Sequence, residues 1–239
     1  MKRLMVKSLS LKFSQNVLFD NASLSVEAGA ISGLLGPNGS GKTTLFDVLC
    51  NLRKVDAGEI HNPFSKLLYL SQIISTSPVL RMFDVFNMMM IFCSDSKVTQ
   101  QHALRKIEKW SPGIVDRYCE IWRKKSSLCS YGEKRWFFTL SLLSANADLV
   151  ILDEPTAGVD PEFRHHIWKC LAGAASEGVA VLVSSHSVDE IVTQCDDFYM
   201  LSQRRFSRFT NAEDYLRTYG GKNLDEAFIH AASMPEIKG

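Results

Sequence analysis

The stretch "GPNGSGKTT", residues 36–44, sets glycines, a lysine and two threonines at spacings suited to holding phosphate. It fits G-x-x-x-x-G-K-[ST], and it follows an apolar run and opens a helical pattern, the context that this motif requires. Gly36, Gly39 and Gly41, with Pro37, Asn38 and Ser40 between them, let backbone N–H groups curl around phosphate oxygens where larger side chains would obstruct them. The new helix adds its positive N-terminal end. Lys42 brings a charge to the β- and γ-phosphates, the Thr43 hydroxyl is placed to ligate Mg²⁺, and Thr44, the next residue, is counted with the ATP-binding loop. A second candidate is the adjacent acid pair closing "LVILDEP". Asp153 can hold Mg²⁺ directly or through water, and Glu154 points to where an attacking water would lie, as a base or an orienting group. Alone, either motif reads as a glycine-rich turn or as a strand leaving the core through acids. Together they favour phosphate chemistry.

A third stretch, "LCSYGEKRWFF" at 128–138, carries Ser130 followed three residues later by Glu133, the pattern of a helix capping box. Trp136, Leu140 and Leu143 then recur at helical spacing. A helix start of this kind is also an anion site, so the structural and the functional readings coexist. Arg123, Lys124, Lys125, Lys134 and Arg135 flank the loop, and their expected role is a solvated charged face.

The elements that must position these motifs are legible in outline. Apolar runs at 30–36, 66–71, 148–154 and 179–185 are nearly continuous, as in strands covered on both faces. Helical patterns at 43–52, with Leu45, Leu49 and Leu52 on one side, and at 162–175 lie between them, so a parallel α/β sheet is expected. Residues 75–128 show no convincing strand, and "SDSKVTQQHALRKIEKW" and "GIVDRYCEIWRKK" are helical in character. In "RMFDVFNMMMIFC", Met82, Phe86, Met89 and Cys93 mark one face while Val85, Met88 and Phe92 make the other apolar as well. Such a helix is expected to be buried on both sides; the alternative is a methionine-lined groove for a helix of a membrane subunit. "NAEDYLRTYGG" runs from an Asn cap to a Gly stop, and "NLDEAFIHAA" opens with a capping box from Asn223 to Glu226. The expected division is an α/β core at 1–74 and 129–210, a helical subdomain at 75–128, and peripheral helices at 211–239.

The 239 residues are 46% apolar and 22% charged with a formal net charge of +1, an ordinary soluble balance with no global field for nucleic acid or membrane. The longest apolar stretch, 85–93, is too short to span a bilayer, and the N-terminus lacks the apolar core of a signal peptide. Six scattered cysteines without C-x-x-C indicate reduced thiols. A cytoplasmic protein is expected, with any membrane link supplied by a partner.

In this motif order the chain resembles the nucleotide-binding subunit of an ATP-binding cassette (ABC) transporter, over about residues 1–209. The resemblance implies a P-loop NTPase α/β fold: a mostly parallel sheet, an antiparallel N-terminal side sheet and an inserted helical subdomain. It implies hydrolysis of ATP with Mg²⁺ held by Thr43, Gln72 and Asp153. Phe13 would stack on adenine. Gln72, ending "YLSQ", would touch Mg²⁺ and the attacking water beside the membrane partner. Asp160, in "AGVDP", would communicate across a dimer, and His186, in "SSHS", would reach the γ-phosphate. Cys129 to Glu133 align with the family's LSGGQ signature, so Ser130, Gly132 and Glu133 would act in trans on nucleotide held by the opposite subunit. Tyr131 departs from that pattern by putting a large side chain where the family has glycine, although first-turn backbone angles permit it. The segment from Lys42 to Gln72 is short, so a trimmed side sheet is expected. The implied partners are a second ABC ATPase subunit and an integral membrane permease at the cytoplasmic face of the membrane, more in keeping with export than import, and no nucleic acid. A soluble ATP switch acting on ribosomes or DNA would carry two cassettes or a long coiled coil. A module that holds ATP without turnover is disfavoured by Glu154 and His186.

Overall fold

The protein, seen in a computed structural model, is described at residues 2–13, 16–93 and 98–234. Its first half contains β1 (Arg3–Phe13), β2 (Asn16–Glu27), β3 (Ile31–Leu35), α1 (Lys42–Leu49), β4 (Ala57–His61), β5 (Leu67–Leu70), α2 (Met82–Cys93), α3 (Gln100–Trp110) and α4 (Val115–Arg123). Its second half contains α5 (Tyr131–Ser144), β6 (Leu149–Asp153), α6 (Pro161–Ser176), β7 (Ala180–Ser184), α7 (Val188–Gln194), β8 (Asp197–Ser202), β9 (Arg205–Phe209), α8 (Ala212–Tyr219) and α9 (Leu224–Ser233). The larger sheet has the order β5-β6-β7-β3-β8-β9, parallel except for β9. A smaller antiparallel sheet, β2-β1-β4, lies beside it.

The four apolar runs form β3, β5, β6 and β7, each one residue shorter at both ends than its sequence pattern. Their continuous hydrophobicity has the expected cause. In β6, Leu149 and Ile151 face α1 and the side sheet, where they join Leu45, Phe46 and Val26. Val150 and Leu152 face the other way, toward Leu140, Ile167 and Leu171 of the helical layer. Alternation with period two therefore sends apolar groups into two separate cores. Strands β8 and β9 were not among the runs identified in the sequence. β8 pairs with β3, and β9 returns antiparallel through a turn at Gln203 and Arg204, both at positive φ (48° and 65°).

Between β5 and α5 the chain forms three α-helices and no named strand among the described residues, and a bridge between Arg81 and Lys125 closes the segment. Residues 94–97 of the expected helical pattern lie outside the described residues; α3 begins after Thr99, whose Oγ1 accepts a hydrogen bond from the His102 N–H. Helix α2 corrects one expectation. Met82, Val85, Phe86 and Met90 are buried, but Phe83, Met88, Ile91 and Phe92 are exposed, Ile91 by 75% and Phe92 by 83%. The helix is therefore covered on one side only. The cap of α9 also differs from its pattern. Asn223 Oδ1 accepts from the Glu226 N–H, yet the Glu226 carboxylate accepts from the Lys222 N–H rather than from Asn223. No helix among the described residues is long and apolar enough to cross a membrane.

The inserted helices dock on the core through a close approach of α3 to α6. A Cβ at Gly173 would lie 2.3 Å from the Trp110 ring. Gly173→Ala should overpack this contact and cost about 1–3 kcal/mol, seen as a fall in thermal midpoint of roughly 2–4 °C per kcal/mol. An unchanged midpoint contradicts this docking.

Candidate functional site

The register of the parallel strands assembles the site. Asp153 of β6 lies opposite Ser184 of β7. The Ser184 hydroxyl donates to Asp153 Oδ1 at 2.6 Å and accepts from the Glu154 N–H at 3.1 Å. From α1, the Thr43 hydroxyl donates to Asp153 Oδ2 at 2.7 Å. Strand alternation would send neighbouring side chains to opposite faces. At Glu154 the backbone instead turns into the left-handed region, φ 56°, and both carboxylates line one cleft. That backbone is uncommon for a residue other than glycine, and four contacts hold it. They are the Ser184 hydroxyl, the Ala157 N–H and the Arg135 guanidinium on its main chain, and the His186 N–H on Glu154 Oε2 at 3.1 Å.

The glycine-rich loop meets this strand end from the side. Gly41 takes φ 108° and precedes α1 with no side-chain cap, so the first N–H groups of the helix are left for an anion. A Cβ at Gly41 would also press on the Phe19 ring at 3.1 Å. The Lys42 ammonium, buried in the loop, donates to the Gly36 carbonyl at 2.6 Å and the Pro37 carbonyl at 3.2 Å. Burial pushes the Lys42 pKa down, against the opposing pull of Glu154 and Asp153. Burial likewise raises the Glu154 carboxyl to about 7, opposed by Lys42 and by the hydrogen bond from His186. The His186 imidazole is shifted down by burial and by Lys42. Its Nδ1 lies 3.2 Å from Glu154 Oε1, a buried oxygen with no hydrogen-bond partner among the described residues.

A cleft of about 180 Å³ gathers Asn38, Gly39, Gly41, Lys42, Thr43, Thr44, Gln72, Asp153, Glu154 and His186. Leu18, not singled out in the sequence, lines it too. Gly36, Pro37 and Ser40 form the loop behind it. Phe13 is exposed and outside the lining, with the Arg53 guanidinium 5.3 Å from its ring centroid. Ser130, Gly132, Glu133 and Asp160 are not among the lining residues. Asp160 caps α6, accepting the Phe163 N–H at 3.0 Å.

The loop at 128–133 carries the complete capping box: Ser130 Oγ accepts the Glu133 N–H, and the Glu133 carboxylate accepts the Ser130 N–H. Burial disfavours the Glu133 charge, but hydrogen bonds from Lys124 and the Ser130 N–H, with the Arg117 charge, hold its pKa below the usual carboxylate range. Lys124 is thus paired rather than part of a free basic face. Arg135 departs further from expectation, for its side chain is completely buried. Its Nη1 donates to the Ser71 and Gln72 carbonyls at 2.8 Å each, and its Nε donates to the Glu154 carbonyl at 2.9 Å. Helical spacing with Gly132 and Thr139, both buried, is a signal for this burial, outweighed in the sequence by the charged neighbours.

The family model described as ABC transporter matches residues 19–157. Protein McbF of Escherichia coli is 35% identical over 220 residues, covering 89% of this chain and 88% of McbF. Nod factor export ATP-binding protein I of Neorhizobium galegae is 30% identical over 207 residues, covering 84% of this chain and 59% of that protein. The ribose import ATP-binding protein RbsA of Caldanaerobacter subterraneus subsp. tengcongensis is 27% identical over 256 residues, covering 97% of this chain and 50% of RbsA. Among solved structures, an ATP binding subunit of an ABC transporter superposes with a TM-score of 0.79 at 21% identity, covering 96% of this chain and 99% of that one, which shows the fold.

Ser184 joins both acids to β7, so Ser184→Ala leaves a buried carboxylate oxygen and a buried N–H without this partner. The expected loss is about 1–3 kcal/mol of unfolding free energy, measured from the urea midpoint. A loss below about 0.5 kcal/mol contradicts the bracing role.

Proposed function

The chain belongs to the ABC transporter family of ATP-binding subunits, and from that premise we propose that two such subunits enclose ATP at their interface and drive a membrane permease. ATP binding and hydrolysis follow from the family; the dimer, the permease and the part each residue plays are the proposal. The observation that carries it is Glu154, which lines the phosphate cleft and whose buried carboxylate oxygen Oε1 has no hydrogen-bond partner among the described residues. An oxygen so placed can take a proton from an attacking water.

The other roles follow from position. Loop amides and Lys42 bind the phosphates. Phosphate oxygens are charged acceptors and compete well for an ammonium now bonded to two neutral carbonyls. Thr43, Gln72 and Asp153 would hold Mg²⁺: all three offer oxygen, the donor type that this ion takes, and Thr43 and Asp153 already meet at 2.7 Å. The ion, when bound, supplies positive charge to the phosphate oxygens. His186 stabilises the γ-phosphate from the end of β7, and Phe13 stacks on adenine. Ser130 accepts the capping N–H and keeps its own hydroxyl proton for the neighbouring subunit's γ-phosphate. Gly132 admits the backbone to close approach, Glu133 fixes the cap, and Asp160 lies where the two subunits communicate.

Support for a membrane partner comes from α2. Its exposed Phe83, Met88, Ile91 and Phe92 make an adaptable apolar surface suited to a short helix of a permease at the cytoplasmic face of the membrane. Export is favoured by the likeness to a Nod factor export protein and by the altered signature loop.

Glu154→Gln should slow phosphate release by about 100-fold or more and accumulate an ATP-bound dimer, measured by light scattering in saturating Mg-ATP. Adding Ser130→Arg should abolish that dimer while ATP still binds the monomer. A monomeric Glu154→Gln protein under these conditions, with its partner subunits supplied, refutes the interface site. For the membrane partner, Met88→Glu with Ile91→Glu should release the subunit into the soluble fraction with ATP affinity unchanged; retention at the membrane refutes this docking face.

A further inference from the structure

Arg135 has no exposed surface, yet its charged fork meets three backbone carbonyls rather than a carboxylate among the described residues. Burying a guanidinium is costly unless its surroundings compensate, and here the compensation ties together three elements. The Ser71 and Gln72 carbonyls lie just beyond the end of β5, and the Glu154 carbonyl just beyond the end of β6. Gln72 and Glu154 line the phosphate cleft. One turn earlier on α5, the Tyr131 hydroxyl donates to the same Gln72 carbonyl at 3.3 Å. Its ring also lies against Gly158, where a Cβ would meet it at 3.1 Å. Residues four apart share one helix face, so both contacts move with the start of α5.

We propose that Arg135, assisted by Tyr131, is a positioning residue that locks the start of α5 to the Gln72 loop and to the strand end bearing Glu154. Any displacement of the loop at 128–133 then shifts both cleft residues together. Lysine cannot replace the fork, because a single ammonium is a point donor without the planar geometry that spans these carbonyls. This inference rests on the assignment of Gln72 and Glu154 to hydrolysis made above.

The test uses the full chain carrying Arg135→Lys and Gln72→Ala, singly and together, with ATP hydrolysis and amide hydrogen exchange as readouts. Arg135→Lys should lower kcat about tenfold with KM for ATP changed less than about twofold. It should speed exchange at residues 71–74 about tenfold, and in the Gln72→Ala background, where only the Glu154 arm still acts on a cleft side chain, its further fold loss should be smaller than in the unaltered chain. The same fold loss in both backgrounds, or unchanged exchange at 71–74, overturns the lock alone. A Gln72→Ala protein with normal kcat overturns the lock together with the site assignment beneath it. Tyr131→Phe removes only a half-exposed hydroxyl and serves if Arg135→Lys does not fold. It should speed the same exchange about twofold or more, and unchanged exchange in it overturns the proposal.

Discussion

Two carboxylates side by side at the end of a buried strand set the central constraint on this molecule. Asp153 and Glu154 are both almost completely buried. Taking charge out of water is costly, and like charges in contact raise that cost. The fold answers with donors from every neighbouring element. The Thr43 and Ser184 hydroxyls donate to Asp153, while the His186 N–H donates to the Glu154 carboxylate and Ser184 accepts the Glu154 backbone N–H. Lys42 and Arg135 place buried positive charge nearby. One Glu154 oxygen is left over. This Oε1 has no hydrogen-bond partner among the described residues and lies 3.2 Å from the His186 Nδ1, in a residue that lines the cleft.

The sheet order is the means of meeting that constraint. β6 lies between β5 and β7, so its acidic end has a strand terminus on each side. β7 contributes Ser184 directly and His186 two residues later, while β5 runs into Gln72. Ligand sites in open α/β sheets form beyond the carboxyl ends of the strands. The positive φ at Glu154 is the local cost of bringing two neighbouring side chains to one side, and the contacts around it over-determine that conformation.

What could be read from the sequence was what short range determines. The phosphate loop, the acid pair, the Ser130–Glu133 cap and the four doubly covered strands all declare themselves in fewer than ten residues, because backbone chemistry or period-two burial dictates them. β8 and β9 escaped notice because their hairpin turns through Gln203 and Arg204, which take positive φ without the Asn-Gly or Asp-Gly signal of such turns. The outer face of α2 could not be assigned from composition: a helix apolar all round gives no sign of which side the core will cover. Local spacing hints that Arg135 is buried, but its partners and those of Ser184 depend on register and on contacts 19 to 64 residues apart, which no local pattern encodes.

Those long-range contacts explain how the loop at 128–133 can be ordered within one subunit even though its proposed ligand belongs to another. Glu133 is held by its cap and by Lys124, so the start of α5 has a fixed direction. Gly132 lies so close to the chain at Gly158 that a Cβ would stand 2.6 Å from the Gly158 carbonyl. That glycine therefore has a packing reason of its own, independent of any phosphate. Tyr131 rests on Gly158 and reaches the Gln72 carbonyl, a span that a glycine at this position could not make. For the proposed dimer, a surface organised in this way is already shaped before docking and loses little conformational entropy on it. In the proposed lock, Arg135 is the link by which a shift of this loop reaches the carbonyls of Gln72 and Glu154.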